Sequence, residues 1–296
     1  FTDNSGSETP NAYEATKVAY HVKAKAESGH ERLLGNYTLN GKTLESNDPI
    51  AVSGKGKITR RVLSIDLVQN SDINKTYDGT SKLDGAKWNE LQTATNPAGN
   101  VKYAAGSTDQ DKLVKTDGTS FKIESNYRND ANTKADKNVR GTSAAPQEKA
   151  ILYEISIVGG DARNYSFKKG SATPTPAENG LTLSARGTIT PKDLTHSFAR
   201  IPDKVYDGSN HVDASKVRFV AGAVLAGDAV NLATHTEVYQ SKNVNGDGVN
   251  TWTPTEGEEQ GITQKNWVNY SNLTLGGADR ENYKISPTAR GLGEII

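Results

Sequence analysis

The chain has 296 residues, enough for two or three domains, and its 35 Lys and Arg residues balance its 35 Asp and Glu residues. Because it has no net charge, and no run approaches the roughly 18 apolar residues of a membrane helix, we expect neither a nucleic-acid partner nor membrane insertion. Cysteine is absent, which excludes disulfides, thiolate nucleophiles and cysteine-based metal sites.

Alternation of apolar and polar residues with a period of two is the commonest local pattern, and it indicates half-buried antiparallel β-strands. The pattern is weak over residues 18–24, where Tyr20 and Val22 are expected to face inward. It is strong over residues 62–67, 153–157 and 273–275. Helical periodicity is scarce, so the sequence predicts a mainly β protein.

Four short phrases recur in the same order in two copies. In the first copy they are Lys-Thr-Tyr-Asp-Gly at 75–79, Lys-Asn-Val at 137–139, Asp-Ala-Arg-Asn-Tyr at 161–165 and Gly-Thr-Ile-Thr-Pro at 187–191. In the second copy the corresponding segments are 204–208, 242–244, 279–283 and 293–295. Repetition of this kind predicts an array of similar modules, each packing on itself and on its neighbours.

The phrases place the module boundaries near Arg61 and Lys192. The predicted modules are a partial module over 1–61, a full module with an insertion over 62–191 and a full module over 192–296. The closing strands at 57–59 and 188–190 run into the next opening strand without a Gly/Ser linker. A junction of this kind restricts the backbone, so we expect an elongated, fairly stiff rod.

The spacing between the phrases differs in the two copies, and this places the insertions. The candidate insertion regions are residues 92–120 and 245–266, and length variation of this sort belongs in surface loops. Each module is expected to be a small antiparallel β-module. An Ig-like sandwich and a β-grasp-like fold both remain open.

The residues inside the phrases are predicted to shape turns and cores. Asp-Gly after an aromatic residue is a turn signal, because Asp bonds the local backbone and Gly supplies a positive φ. We expect Tyr77 and Tyr206 to lie over the core, each with its hydroxyl on a polar partner, and Asn164 and Asn282 to satisfy carbonyls of their own turns. The complete set is Tyr77, Asp78, Gly79, Asp161, Asn164, Tyr165, Tyr206, Asp207, Gly208, Asp279, Asn282 and Tyr283.

This ordered set of phrases resembles the YDG-type repeat, and the related MBG modules, of large bacterial surface and two-partner-secreted adhesins. The resemblance implies a non-catalytic extracellular segment, on the cell surface or secreted, that acts as a stalk, spacer or adhesive region in cell adhesion and biofilm formation. The implied partners are neighbouring repeats of the same chain, host glycans, and surface or matrix proteins. The alternative is a dedicated glycan- or host-protein-binding region that uses the inserted loops.

One further hypothesis is a covalent cross-link of the kind found in Gram-positive surface modules. There, a first-strand Lys joins a last-strand Asn beside a carboxyl group with loss of ammonia, which requires a buried neutral Lys and a protonated acid. Lys75 and Lys204 lie near the starts of their modules, and Asn164 and Asn282 near the ends.

Two ligand hypotheses rest on the loops. No phrase requires a cofactor, but several loops offer oxygen ligands for Ca²⁺, and ordinary polar loops are the alternative. The candidate ligands are Asp109, Asp111, residues 117–118 and 245–248, and the turns at Asp161 and Asp279. Three tryptophans in or beside the variable regions could stack on sugar rings, or could instead anchor the core. They are Trp88, Trp252 and Trp267.

Catalysis is not predicted. The five histidines are scattered, and the sequence contains no His-Glu-x-x-His pair, no Gly-x-Ser-x-Gly elbow and no phosphate-binding glycine loop. We therefore assign no catalytic residue and no resident metal.

Overall fold

The computed structural model describes residues 1–25, 31–39, 41–44, 49–68, 73–83, 101–114, 118–244, 253 and 266–296. The protein is mainly β, with 44% of the described residues in strands, which confirms the predicted class. In the described residues the helical elements are 3-10 helices, of which Glu31–Asn36 has six residues. None of the helices in this part of the chain has the length and apolar character of a membrane span.

The strands are short, and several small sheets take the place of one large sheet. The first nine are β1 (Lys17–Val22), β2 (Thr38–Leu39), β3 (Lys42–Thr43), β4 (Ile50–Lys55), β5 (Arg61–Leu67), β6 (Lys75–Thr76), β7 (Val101–Tyr103), β8 (Ser120–Tyr127) and β9 (Arg140–Thr142). The others are β10 (Ala145–Val158), β11 (Tyr165–Lys168), β12 (Thr175–Pro176), β13 (Leu181–Thr190), β14 (Lys192–Asp193), β15 (Asn231–Tyr239), β16 (Trp267–Gly276), β17 (Tyr283–Lys284) and β18 (Ala289–Leu292). The remaining 3-10 helices are Asp109–Asp111, Ala162–Asn164, Ala177–Asn179, Ala214–Lys216 and Arg280–Asn282.

The chain divides into two compact units. The first comprises Phe1–Ser71, Gly85–Glu124 and Glu154–Leu183; the second comprises Asp72–Asp84, Ser125–Tyr153 and Ser184–Ile296. The second unit holds the Tyr-Asp-Gly and Lys-Asn-Val phrases of the first copy together with the whole second copy. Strands begin at Arg61 and Lys192, where the sequence predicts module boundaries; the modules themselves stay a prediction.

The same strand order recurs in the two copies. The first copy contains the order β8-β10-β13-β6, and the second contains β15-β16-β18. In the second copy an isolated parallel bridge between Lys204 and Ile295 replaces the pairing of β6 with β13. The Lys-x-Tyr segment and the closing Ile segment of each copy therefore lie side by side.

Parallel pairing is a difference from the predicted antiparallel modules. β6 pairs in parallel with β13, β11 with β5, and β17 with β14, whereas β15 and β18 pair antiparallel with β16. A parallel pair needs a long crossover connection, and here the crossover is most of a copy. Sequence alternation identifies a strand but carries no information about the direction of its neighbour.

The predicted strands with strong alternation are buried on the expected side. In β10, Tyr153 and Ile155 are buried while Glu154 between them is exposed, and in β5 Leu63 and Ile65 are buried. The main core cluster of the second unit joins β15, β16 and the preceding loops. Its members are Phe198, Ile201, Val212, Tyr239, Val268, Tyr270, Leu273 and Ile295.

Two predictions near the N-terminus are wrong. Tyr20 and Val22 are 54% and 38% exposed, because β1 pairs with β4 in a two-stranded sheet whose outer face has no covering layer in the described residues. The closing strand expected at 57–59 does not form, since β4 ends at Lys55. Gly56 follows it, and an added Cβ there would clash with the side chain of Val18, so the close approach of the two segments favours glycine.

Candidate functional site

The Tyr-Asp-Gly turn of the first copy is closed by its own lysine. Lys75 Nζ donates to the backbone carbonyls of Thr80 and Lys82, at 3.0 and 2.9 Å. Asp78 accepts the backbone N–H of Thr80 at 2.8 Å and forms an ion pair with Lys75 at 2.6 Å. Gly79 has a φ of +80°, which residues with side chains rarely adopt. The lysine and the aspartate of the phrase thus close the turn.

The second copy builds the same turn with the same atoms. Lys204 Nζ donates to the carbonyls of Ser209 and His211, both at 3.0 Å. Asp207 accepts the backbone N–H of Ser209 at 2.9 Å, and Gly208 has a φ of +79°. Hydrogen bonds from Lys204 and Ser209 lower the pKa of Asp207 to about 2, so its carboxylate stays ionised at any ordinary pH. The phrase therefore extends by one hydroxyl residue, Thr or Ser, beyond its glycine.

The Lys-Asn-Val loop of the first copy is fixed from beneath by a buried lysine. Lys149 is 1% exposed, and its Nζ donates to the backbone carbonyls of Asp136 at 3.2 Å and Asn138 at 2.6 Å. A third bond reaches the carboxylate of Asp136 at 2.7 Å. These bonds compensate for burying the ammonium group, because an unpaired buried charge would lower the stability of the fold.

In the second copy an asparagine amide takes over this task. Asn266 is fully buried, and its Nδ2 donates to the carbonyls of Ser241 at 3.0 Å and Asn243 at 3.3 Å. These carbonyls occupy the positions of Asp136 and Asn138 in the phrase. Both Lys-Asn-Val loops are therefore held in shape by a polar group from the core.

Phrases of the two copies converge on the carboxylate of Asp228. Its side chain is 2% exposed, and Oδ2 accepts the hydroxyls of Tyr77 at 2.7 Å and Tyr283 at 2.8 Å. Its Oδ1 accepts Lys137 Nζ at 2.9 Å. The rings of Tyr77 and Tyr283 meet edge to face, with centroids 5.5 Å apart. One buried acceptor thus joins Tyr-Asp-Gly and Lys-Asn-Val of the first copy to Asn-Tyr of the second; we call these four residues the Asp228 cluster.

The cluster shifts the proton affinities of its members. Burial would raise the pKa of Asp228, but the hydrogen bonds from Tyr77, Lys137 and Tyr283 outweigh it and hold that pKa below its ordinary value. Burial and the bond to Asp228 raise the pKa of Tyr77 to about 12. The bond to Asp228 also raises the pKa of Lys137. The cluster is therefore one anion, one cation and two neutral phenols at neutral pH.

A second contact between the copies is a paired amide. Asn282 is 3% exposed; its Oδ1 accepts the backbone N–H of Val139 at 2.8 Å, and its Nδ2 donates to Asn138 Oδ1 at 3.0 Å. Nearby, Glu281 accepts the backbone N–H of Ser143 at 2.8 Å. The asparagine was expected to satisfy its own turn; its side chain instead binds the Lys-Asn-Val loop of the preceding copy.

The same paired amide occurs in the first unit. Asn164 Oδ1 accepts the backbone N–H of Ala12 at 2.8 Å, and its Nδ2 donates to Asn11 Oδ1 at 3.1 Å. Tyr13 donates its hydroxyl to Asp161 at 2.5 Å and stacks under Arg163, with 3.8 Å between the guanidinium carbon and the ring centroid. Residues 11–12 therefore take the place of Asn-Val, a correspondence hidden in the sequence because Pro10 and Ala12 replace Lys and Val.

We expect the two asparagines to control two separate backbone amides. Asn282→Ala should leave the buried N–H of Val139 without an acceptor and destabilise the second unit by about 1–3 kcal/mol. Hydrogen exchange should then be faster at Val139 and unchanged at Ala12. Asn164→Ala is the matched control, because it should accelerate exchange at Ala12 alone; equal acceleration at both amides in either variant would contradict this pairing.

The Asp228 cluster also predicts a loss of stability at both ends of the pH scale. Asp228 has a pKa below its ordinary 3.8, so its contribution is complete above that value and is lost as the pH falls below it. Tyr77 has a pKa raised from 10.0 to about 12, so its contribution is complete below pH 10 and is lost as the pH rises. Urea unfolding near pH 3, 7 and 11 should give the largest free energy near pH 7. Tyr77→Phe should reduce the loss between about pH 7 and 11, and an unchanged loss would contradict the assignment.

The two tyrosines of the Tyr-Asp-Gly phrases differ in burial, contrary to expectation. Tyr77 is 2% exposed, but Tyr206 is 52% exposed. Tyr77 is covered by the Asp228 cluster, and no carboxylate in the described part of the chain occupies that position over Tyr206. The tyrosines that end the Asn-Tyr phrases are both buried; the hydroxyl of Tyr165 accepts the N–H of Val114 at 3.1 Å, and that of Tyr283 accepts the N–H of Leu225 at 2.9 Å.

The cross-link residues are engaged in other bonds. Lys75 and Lys204 bind carbonyls of their own turns, while Asn164 and Asn282 bind residues 11–12 and 138–139. Their ordinary hydrogen bonds account for the presence of these residues in the phrases. The cross-link stays a prediction, and an intact mass equal to the sequence mass would exclude it.

The ligand-contact residues are only partly within the described chain. Trp267 is 7% exposed, donates its indole N–H to Asn269 at 3.1 Å and lies under Arg290, so no open indole face is left for a sugar ring. Trp88 and Trp252 lie outside the described residues. Asp109 and Asp111 belong to a 3-10 helix, and no group of three His, Asp or Glu side chains suited to a metal occurs within the described ranges.

A cavity of about 900 Å³ lies in the second unit next to the paired amide. Thr76, Ser143, Pro191, Glu281 and Tyr283 line it, with other residues of the same strands. Its wall carries hydroxyl, carboxylate and apolar groups. We find no activated nucleophile among these side chains.

The residues that hold the phrases together were not predicted from the sequence. Asp228 and Lys149 belong to no recurring phrase, and Lys137 and Asn138 were found as repeats but given no role. One signal was available for Asp228: it stands three residues after Leu225, as Asp117 stands three residues after Val114. Lys149 has no counterpart by residue type, since Asn266 replaces it, so the repeats could not reveal it.

Comparison with protein families finds one match, which agrees with the phrases. Residues 190–267, roughly a quarter of the chain, match a family described as YDG domain. The matched segment contains the Tyr-Asp-Gly and Lys-Asn-Val phrases of the second copy. This supports the YDG-type resemblance for that part of the chain, while the adhesin context stays a prediction. Comparison with curated proteins and with solved structures finds no match to the chain.

Proposed function

We propose that the chain is a non-catalytic segment of a bacterial surface or secreted adhesin, built from tandem YDG-type modules that act as a stalk or spacer. The observation that carries the proposal is the Asp228 cluster, where the recurring phrases of one copy bind those of the next. Recurring residues that form a joint between modules favour a structural function. Their polar groups form the hydrogen bonds and ion pairs that hold the copies together.

The polar groups of the phrases support a structural role. Lys75 and Lys204 close turns, Asn164 and Asn282 pair with backbone and amide groups, and Asp228 accepts three donors. A catalytic or ligand site needs convergent groups that are left available to a substrate. Those five side chains are instead bonded within the protein.

Stiffness of the array is the expected consequence. β13 ends at Thr190 and β14 begins at Lys192, with only Pro191 between them. Hydrogen bonds at Asp228 and Asn282 would further restrict bending at such a joint. With strands of about 8–10 residues at ~3.3 Å per residue, the three proposed modules would form a rod on the order of 100 Å long.

Small-angle X-ray scattering tests the proposed array. A compact globule of 296 residues has a radius of gyration of about 19 Å. A rod on the order of 100 Å long has a radius of gyration of about 30 Å. We expect the larger value; the smaller value would contradict tandem modules. Antibody labelling of intact source cells tests the location, because antibodies do not cross the cell envelope.

A second candidate function is binding of a glycan or host protein by the inserted loops. It is favoured by the unequal insertions, which fall at 92–120 in one copy and 245–266 in the other while the phrases stay in order. Glycan and matrix-protein arrays should be compared for the full chain and for variants that lack either loop. Binding that disappears with a loop would support this function, and equal binding by all variants would contradict it.

A further inference from the structure

The first copy has a surface that is covered by the second copy, and the corresponding surface of the second copy is exposed. We propose that Tyr206, Lys242, Asn243 and Val244, which we call the open surface, form a docking site for a further YDG-type module. The module would bind through an aspartate equivalent to Asp228 and an Asn-Tyr phrase. This inference rests on the proposed function, and it identifies the kind of module that would bind next to the second copy.

Corresponding residues of the two copies differ sharply in exposure. Val139 is 8% exposed and Val244 is 44% exposed, which parallels the difference of 2% against 52% between Tyr77 and Tyr206. Lys242 is exposed as well. The Tyr and Val side chains that are buried in the first copy are thus exposed in the second.

The turn glycines show the same contrast. An added Cβ on Gly79 would lie 3.1 Å from Leu225 Cδ1, so the leucine packs against the first turn. Around Gly208, apart from its two chain neighbours, no atom of the described residues lies within 4 Å of such a Cβ. Val205, next to Tyr206, is 75% exposed and extends the apolar part of the open surface. Burial of exposed Val and Tyr side chains is favourable by roughly 25 cal/mol per Å².

The open surface is already in its binding conformation. Lys204 holds the Tyr-Asp-Gly turn and Asn266 holds the Lys-Asn-Val loop, through the same kinds of bond that shape the covered surface. Loops that are ordered before binding do not lose that freedom on association. A partner would therefore bind the same arrangement of turn and loop that Asp228 and Asn282 bind in the first copy.

The chemistry of the open surface specifies its occupant. The phenol of Tyr206 and the ammonium of Lys242 are donors for one shared carboxylate, as Tyr77 and Lys137 are for Asp228. The backbone N–H of Val244 corresponds in the phrase to that of Val139, which donates to an amide oxygen. The second copy carries both groups, in Asp228 and Asn282, and a further module of this type would present the same pair.

A second copy of this chain is a poorer occupant than a further module. Asn164 is already paired with Asn11 and Ala12, and Asn282 is already paired with Asn138 and Val139. Both Asn-Tyr phrases of another chain would first have to break these bonds. The occupant we infer is a module whose own phrase is still available.

The test extends the full chain by a second copy of residues 191–296 placed directly after Ile296. The appended copy carries Tyr206→Phe, so that only the original Tyr206 reports on the open surface. Tetranitromethane nitration, mapped by mass spectrometry, should modify Tyr206 in the unextended chain and spare Tyr77. In the extended chain we expect the nitration rate of Tyr206 to fall about tenfold, since the residue becomes buried. The matched control replaces the appended equivalent of Asp228 with Ala, which should restore the rate.

The outcomes separate this inference from the proposed function. Nitration of Tyr77 in the unextended chain would count against the joint and hence against the proposed function. Protection of Tyr77 with unchanged nitration of Tyr206 in the extended chain would overturn the inference alone. Nitration of the appended equivalent of Tyr283 would also overturn it. In a module docked on the open surface, that tyrosine would be buried, as Tyr283 is in the second copy.

Discussion

Asp228→Ala is expected to lower the free energy of unfolding of the second unit by about 3–4 kcal/mol. The carboxylate is buried and accepts three hydrogen bonds, two from phenols and one from an ammonium group. Its removal leaves the hydroxyls of Tyr77 and Tyr283 without their acceptor and Lys137 without its counter-ion. Urea unfolding followed by circular dichroism measures the loss.

Asp109→Ala is the matched control for this prediction. Its side chain is 98% exposed and forms one ion pair, with Lys112 at 3.0 Å, so its removal should change the free energy by less than about 0.5 kcal/mol. An additional variant, Asp228→Asn, keeps one acceptor oxygen and should fall between the two. Equal stability of Asp228→Ala and the parent chain would show that the Asp228 cluster does not stabilise the second unit.

Lys149→Met is expected to destabilise the second unit by about 3–5 kcal/mol. Methionine preserves most of the side-chain volume but removes the ammonium group. The carbonyls of Asp136 and Asn138 and the carboxylate of Asp136 then lose their donor. Hydrogen exchange should also rise along residues 136–139, because the loop is no longer held from beneath.

Lys122→Met provides the comparison, since this lysine is 59% exposed and pairs with Glu124 at the surface. We expect it to be within about 0.5 kcal/mol of the parent chain. A large effect at Lys122, or a negligible one at Lys149, would show that burial does not determine the role of these lysines. Lys149→Asn is informative as well, because Asn266 performs the equivalent task in the second copy with an amide.

The class of the fold and the turns could be predicted from local sequence. Alternation over 62–67 and 153–157 depends only on which residues prefer the interior, and strands with buried Leu63 and Tyr153 follow from it. Asp-Gly at 78–79 likewise specifies a turn without reference to the rest of the chain. Strand direction could not be obtained in this way, because the pairing of β6 with β13 depends on residues more than a hundred positions apart.

The site could be predicted only as a set of recurring residues. Recurrence identified Tyr77, Asn164 and Asn282 but not what they bind, since their partners come from another copy or from residues 11–12. Burial of Tyr77 and exposure of Tyr206 could not be distinguished, because both phrases have the same local sequence and differ only in what lies over them. The sequence of one copy therefore does not identify binding partners that lie in another copy.

The joint between copies differs from most surface contacts in its chemistry. Exposed ion pairs contribute little to stability, but Asp228 is excluded from water and its bonds come from groups that are themselves held in place. Tyr77 is held by the turn that Lys75 closes, and Lys137 belongs to the loop that Lys149 supports. The turn-closing lysines and the loop-supporting core groups therefore contribute to the joint indirectly, by fixing its donors.

A double-mutant cycle between Tyr77 and Asp228 measures the hydrogen bond that joins the two copies. Tyr77→Phe removes only the hydroxyl, and Asp228→Ala removes the acceptor, so their combined effect isolates the bond between two copies. We predict a coupling free energy of about 1–2 kcal/mol, as for a charge-assisted hydrogen bond. Additive effects, within about 0.5 kcal/mol, would contradict the claim that the recurring phrases bind one copy to the next.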